Sequence, residues 1–244
     1  MLNTYIARVQ RLLQNPGAPT TLYSTSDITD YINMARGQIA GEAECVRYQA
    51  TASTVIGQRP YSFSVFNTGV PATTGIQGVI HVRSLFYSIA SGQLWITPRA
   101  WEYFELYYLN NAVPDSGAPK RWAQYGQGAE PNTSFGGGSF YLDPLPDIVY
   151  TLTGDCVCYP INLVLDADRE AIPYLWTDAV PFLAAYYAYL SSQGGARQAE
   201  ADRMYGYYQT FAERARKAAN PSVMRQQYEQ AAPPVTPLPT GGQQ

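Results

Sequence analysis

Residues 26–35 read Ser26-Asp27-Ile28-Thr29-Asp30-Tyr31-Ile32-Asn33-Met34-Ala35, and residues 46–52 read Val46-Arg47-Tyr48-Gln49-Ala50-Thr51-Ala52. The change of period between them decides the fold class. In the first stretch Ile28, Tyr31, Ile32 and Ala35 recur at helical spacing, and the stripe continues through Ile39 and Ala43. Ser26 or Asp27 is the expected N-cap, and Asp30 favours the first turn through the helix dipole. In the second stretch Tyr48, Ala50 and Ala52 alternate with polar residues, the pattern of a half-buried strand. The chain therefore mixes helices and strands in separate blocks, which reads as α+β.

On the N-terminal side, Leu2, Tyr5, Ile6, Val9, Leu12 and Leu13 draw one stripe on a helix over 2–14, stopped by Asn15-Pro16-Gly17. Gly37 and Gly41 each cost the second helix up to ~1 kcal/mol against Ala, and their spacing allows a neighbour's backbone to come close. On the C-terminal side, strand signals recur at Tyr61, Phe63 and Val65, over Val79–Tyr87, at Leu94-Trp95-Ile96, around Trp122, over Phe140–Leu142, and at Tyr150, Leu152, Cys156 and Cys158. Residues 67–78 read as a long loop. Pro98 starts a short helical segment with Trp101, Phe104 and Tyr108 on one side. Gly126, Gly128 and Gly136-Gly137-Gly138 mark a further loop, and Asp143-Pro144-Leu145-Pro146-Asp147 a turn.

Helical character is expected again from Asp166. Leu175, Ala179, Phe182, Leu183, Tyr186, Tyr187 and Leu190 form a broad apolar face, with Pro181 kinking or beginning the helix. Gly194-Gly195 makes a hairpin. A last helix over 196–219 turns Ala199, Met204, Tyr207, Tyr208, Phe211 and Ala215 inward. After Asn220-Pro221 the chain becomes rich in Gln, Pro and Gly and cannot bury enough apolar surface to fold alone. The expected architecture is a four-helix bundle built from both chain ends, residues 1–45 and 166–220, with a mainly antiparallel β-rich insertion at 46–165 and an extended C-terminal arm at 221–244.

The chain has 244 residues; 46% are hydrophobic and only 14% charged, and its 21 Tyr far outnumber its 2 Lys. That balance excludes a coiled coil or a charged disordered tail, and it suits a subunit that buries its exterior against partners, because interfaces favour Tyr and Arg over Lys. A net charge of −3 leaves no basic face for tight, sequence-independent DNA binding. The densest cationic cluster, Arg214, Arg216 and Lys217, suits a helix C-terminus. The N-terminus, with Arg8 and Arg11 inside its apolar pattern, does not read as a signal peptide, and the longest apolar run, Ala179 to Leu190, is well short of the ~20 residues of a membrane helix. The expectation is a soluble protein made in a reducing cytoplasm, with no membrane partner.

The residues offer little chemistry. His81 is the lone histidine and sits in the alternating strand Val79-Ile80-His81-Val82-Arg83 with no nucleophile elbow anywhere in the chain. Cys45, Cys156 and Cys158 make neither a disulfide framework nor, with one His, a zinc site. Asp166-Ala167-Asp168 lacks the other ligands of a calcium loop and reads as a turn and cap before the helix. Gly136-Gly137-Gly138 is followed by no Lys-Ser/Thr and opens no helix, so it is no phosphate loop. No catalytic residue, metal or cofactor is expected.

The order of elements resembles the head-to-tail adaptor proteins of short-tailed bacteriophages, the family that includes tail tubular protein A. The resemblance rests on the Ser26–Ala35 helix opening after a short first helix, on Pro119-Lys120-Arg121-Trp122-Ala123-Gln124-Tyr125-Gly126, on Phe140-Tyr141-Leu142-Asp143-Pro144-Leu145-Pro146-Asp147 followed by Tyr150 and Leu152, and on the apolar helix from Pro173 and Trp176 through Leu190 into Gly194-Gly195. It covers roughly residues 1–220; the glycine-rich loop and the Pro/Gln tail depart from it.

The resemblance implies a non-enzymatic virion protein, assembled in the host cytoplasm and located at the head–tail interface. It implies helices packed on the portal protein ring, a β part facing a tail nozzle or tail tube protein, and self-assembly into a dodecameric ring whose bore passes genome DNA. The C-terminal arm is then expected to contact the portal or a neighbouring copy through Val223, Met224, Tyr228, Val235 and Leu238; the residues lining the DNA channel are unassigned. The alternative class is a virion or surface carbohydrate-binding module without catalysis, with Trp95, Trp101, Trp122 and Tyr125 as a sugar platform. A cell-wall or capsule hydrolase lacks any motif.

Overall fold

A computed structural model describes residues 1–14, 22–69, 71–89, 92–106, 115–126, 138–191 and 197–219. Helix α1, Leu2–Leu13, buries Leu2, Tyr5, Val9 and Leu13 and ends at Gln14, whose backbone turns left-handed at φ 51°. Helix α2, Thr25–Ala43, starts two to three residues earlier than the expected caps would put it. Ser24 is the N-cap: its hydroxyl accepts from the Asp27 N–H at 3.1 Å, and the Asp27 carboxylate accepts from the Ser24 N–H at 3.2 Å. This reciprocal box satisfies two orphan donors at once, which neither Ser26 nor Asp27 as cap would do. The expected stripe of Ile28, Ile32, Ala35, Ile39 and Ala43 is buried, and Arg36 is buried with it.

The strands are β1 (Arg47–Ser53), β2 (Pro60–Ser62), β3 (Ile76–Ile89), β4 (Gly92–Pro98), β5 (Arg121–Tyr125), β6 (Ser139–Asp143) and β7 (Thr151–Pro160), with the single helical turn α3 (Trp101–Phe104) after β4. The stretch expected as a loop at 67–78 holds the end of a 3₁₀ segment, Phe63–Gly69, a second short one, Ala72–Thr74, and the start of β3. The seven strands form one sheet in the order β1-β7-β3-β4-β5-β6-β2, antiparallel except between β4 and β5.

The sheet must curl. Its two edge strands, β1 and β2, are consecutive in sequence, separated only by residues 54–59. Seven Cα steps reach at most about 25 Å, whereas a flat sheet of this width would set its edges about 29 Å apart. The connection is also folded rather than extended, with Gly57 at φ 72° and the Gln58 N–H donating to the Val55 carbonyl. Inside the curl, Phe140 stacks with Tyr61, Phe63 and Phe66. Strand β7 is buried almost throughout because both of its faces are covered: Gly154 lies against Phe66 inside the curl, and Tyr159, on the opposite face, lies against Gly37 of α2.

Helix α4, Ala179–Ser191, and helix α5, Gln198–Ala219, complete the chain's described part. The segment from Asp166 to Asp178, expected to be helical, is instead a series of turns with one 3₁₀ turn, Tyr174–Trp176; helix begins at Ala179. Pro181 stands in its first turn, where the missing N–H had no helical partner to lose. In α5 the buried stripe is Ala201, Met204, Tyr208, Ala212 and Ala215, while Ala199 and Tyr207, expected inside, are exposed. Helices α1, α2, α4 and α5 pack on one another, α4 touching the other three, and one continuous buried cluster takes in residues of these helices and of the sheet. The expected arm at 221–244 and the Gly194-Gly195 hairpin lie outside the described residues.

Candidate interaction surfaces

The residues weighed for chemistry have structural occupations. His81, on β3, is partly buried with its Nε2 3.5 Å from Glu44 Oε1; burial pushes its pKa below the ordinary value, against the pull of Glu44. All three thiols are buried, and burial pushes Cys45 and Cys158 up to about 12, and Cys156 upward as well, so none is a thiolate. Asp166 accepts from the Met1 ammonium and the Asn3 N–H, and Asp168 accepts from the Val164 and Leu165 N–H groups. These bonds hold both carboxyls below the usual range. Asp168 thus caps a turn, though no helix follows it directly. Among the described residues no group of three or more His, Cys, Asp or Glu side chains is placed to hold a metal. Gly136 and Gly137 lie outside the described residues.

The aromatic residues considered as a platform are dispersed. Trp122 is buried, Trp95 stacks on Phe86 along the β3–β4 hairpin, and only Trp101 and Tyr125 come together, 4.7 Å apart, with Tyr141 on Trp101 at the same distance.

What the fold does expose is a pair of ends. Register places Ala52, Leu152, Tyr87 and Leu94 in one row across β1, β7, β3 and β4. Just beyond that row lie Val55, Ile56, Ile148, Val149 and Ile89, and together with Leu94 these are 38% to 62% exposed. Their backbone is tightly held. The Thr54 N–H donates to the Tyr150 carbonyl and the Gly57 N–H to the Pro146 carbonyl, both at 2.9 Å, tying the two turns together. The Tyr61 hydroxyl accepts from the Val55 N–H at 3.0 Å and faces the Val55 carbonyl at 3.1 Å. An apolar tip on a fixed backbone is suited to docking, because little ordering remains to be done on contact. The sequence signal was available: two adjacent apolar pairs, Val55-Ile56 and Ile148-Val149, sit where strand alternation gives way to turns.

At the opposite end of the sheet the helices take over. Arg47 of β1 and Arg83 of β3 both donate to the Ala219 carbonyl, at 3.0 and 3.1 Å, and so hold the C-terminus of α5 against the sheet. Arg47 also pairs with Asp155 and Arg83 with Glu44. This fixes the point from which residues 220–244 leave. Two grooves flank the helices. One, of about 400 Å³, lies over α4 between α1 and α5 and is lined mainly by Leu12, Pro181, Phe182 and Phe211 with Arg8 and Arg11 at its rim. The other, of about 630 Å³, runs beside α2 and is lined by Asp30, Asn33, Met34, Gly37 and Tyr159 among others. Val223, Met224, Tyr228, Val235 and Leu238, expected as interface anchors, lie outside the described residues.

The described residues thus present an exposed apolar tip at one end of the sheet and a helical layer at the other. The chain belongs to the SU10 adaptor protein family, whose model matches residues 2–238. It is a bacteriophage adaptor with a structural role, as the resemblance in sequence implied. No curated protein matches the chain. No helix among the described residues is long and apolar enough to cross a membrane.

Proposed function

We propose that the chain is a head-to-tail adaptor of the virion: copies form a ring, the helical end seats on the portal protein ring, the apolar sheet end meets a tail nozzle or tail tube protein, and genome DNA passes through the bore. The observation that carries this reading is the polarity of the fold, with helices at one end of the sheet and the exposed Val55, Ile56, Ile148 and Val149 tip at the other. A part that joins two others needs two such ends. The helices drawn from 1–45 and 166–220 act as the portal-side bundle and 46–165 as the tail-side unit. An acidic balance of −3 lets DNA slide rather than stick. The reading is non-enzymatic and uses no cofactor.

The experiment is assembly in two stages. The purified protein is expected to bind portal rings, and the complex then to bind the tail protein. Ile56→Asp with Val149→Asp, both on exposed side chains, is expected to leave folding and portal binding intact and to abolish the second stage. Loss of portal binding by this variant, with direct binding of the tail protein to the free adaptor preserved, would reverse the assigned orientation, and failure of the wild type at both stages would sink the reading.

A further inference from the structure

The two flanks of the helical layer differ in charge. The outward charged residues of α1 are Arg8 and Arg11, with no acidic residue in that helix. Helix α2 exposes Asp27 and Asp30 near its start and Glu42 near its end, and its one basic residue, Arg36, is buried against Glu170. The α1 flank is also concave. Phe182 and Phe211 stack 5.8 Å apart along the groove, Arg8 is held at its rim by Asp178, and Arg11 makes no ion pair among the described residues. On the α2 flank Asp30, Met34 and Gln38 follow one another at helical spacing, a ridge that forms one wall of the 630 Å³ groove, and Met34 is 55% exposed. The flanks face apart. Phe211 of α5 lines the apolar groove, while Gln209 and Glu213, two residues to either side and so nearly opposite around the helix, line the recess next to α2.

We propose that the occupant of the α1–α4–α5 groove is a second copy of this chain, presented by its α2 ridge: Met34 of one copy lies on Phe182 and Phe211 of the next, and Asp30 pairs with Arg11. This rests on the ring reading above and names the surfaces that make the ring. Charge selects the arrangement. A symmetric contact would set arginine rim against arginine rim, or acidic ridge against acidic ridge, and like charges facing each other are disfavoured. Joining the groove of one copy to the ridge of the next is the head-to-tail contact that repeats and, with the right rotation, closes a ring. A helix ridge in an apolar groove is a recurrent mode of recognition, and the unbranched Met side chain adapts to an irregular surface. The rim pair sets register and direction more than affinity.

The test is site-directed cross-linking of the full chain assembled on portal rings, with a short bifunctional maleimide and with ring formation scored by electron microscopy on the same samples. Arg11→Cys and Asp30→Cys replace exposed residues, and the three native thiols are buried. Neither single variant is expected to cross-link to itself. An equal mixture is expected to give dimers and nothing larger, and the double variant a ladder of multimers. Rings without a ladder, or dimers from either variant alone, would overturn the inference while leaving the ring reading in place; absence of rings from the wild type would overturn both. The charge swap gives an independent readout. Arg11→Asp and Asp30→Arg are each expected to lower ring yield at least about tenfold, and combining them to restore it. A combined variant no better than the singles counts against the pairing.

Discussion

Arg36 grips Glu170 across 134 residues of sequence: its Nε donates to one carboxylate oxygen at 3.0 Å and its Nη2 to the other at 2.8 Å, with the side chains only 1% and 6% exposed. The remaining donors go to the Ile161 carbonyl and to Asn33 Oδ1, and Glu170 also accepts from the Ile172 N–H. The pair therefore fastens the irregular link between β7 and α4 onto α2. Glu170→Ala leaves a guanidinium buried without its counter-ion and is expected to cost about 3–5 kcal/mol, read as the shift in urea unfolding. Arg36→Met with Glu170→Leu is expected to recover most of that loss, because an apolar pair of similar volume needs no desolvated charge. A Glu170→Ala loss within the error of the melt would show the pair to be idle.

The two glycines of α2 separate cleanly. A Cβ on Gly37 would stand 2.9 Å from Tyr159 Cε1, whereas one on Gly41 meets nothing within 4 Å. Gly41→Ala is expected to raise stability by roughly 0.5–1 kcal/mol through helix propensity alone. Gly37→Ala gains the same propensity but must displace the Tyr159 ring, so its melting temperature is expected to fall below that of Gly41→Ala. Equal melting temperatures for the two variants would contradict this packing.

Acid should weaken the fold in two steps. His81 has a lowered pKa in the folded state, chiefly from burial, so the unfolded chain takes up its proton first. Its contribution is complete above the ordinary value of about 6.5 and is lost as pH falls from there through the lowered value. Asp166 and Asp168 are also lowered, by hydrogen bonds to their charged forms, and their contribution is present above about 4 and lost below it. His81→Gln is expected to flatten the upper step only. The check is the urea midpoint between pH 7 and pH 3 alongside an NMR titration of the imidazole; a His81 midpoint at or above 6.5 would falsify the assignment.

Truncation after Asn220 probes the proposed arm. The carbonyl of Ala219 stays bonded to Arg47 and Arg83, so the end of α5 keeps its anchor, and the melting temperature is expected to be unchanged. Binding to portal rings is expected to weaken, because a tethered arm adds avidity through high effective concentration. Portal affinity equal to that of the full chain would leave Val223, Met224, Tyr228, Val235 and Leu238 without a role in binding.

Much of the fold was legible because periodicity reports one-sided burial. The stripes of α1 and α2 and the strands at 47–53, 121–125 and 139–143 follow it. It misleads where burial is two-sided or local turn chemistry intervenes. In β7, Leu152, Cys156 and Cys158 alternate as expected, yet Val157 on the other face is buried too, the face on which Tyr159 meets Gly37 of α2. Around Leu175 the apolar residues suggested helix, but Pro173 and the 3₁₀ turn after it delay the start to Ala179. The interaction surfaces were the least legible part. The tip at Val55 and Ile148 joins turns more than 90 residues apart, and the Phe182–Phe211 groove needs α1 as its second wall. The groove leaves no trace in any single window of sequence, and the tip shows there only as two separate apolar pairs, Val55-Ile56 and Ile148-Val149.

The short tie between β1 and β2 has a consequence for how the chain is made. Among the described residues β1 pairs with β7 alone, so Arg47 waits for Val157, and α1 and α2 wait for α4, whose residues begin at Ala179. Contacts this distant in sequence form late and together. A polypeptide emerging from the ribosome therefore has no stage at which half a subunit is complete: until the last third of the chain is synthesised, neither the ridge on α2 nor the apolar tip stands on a finished scaffold.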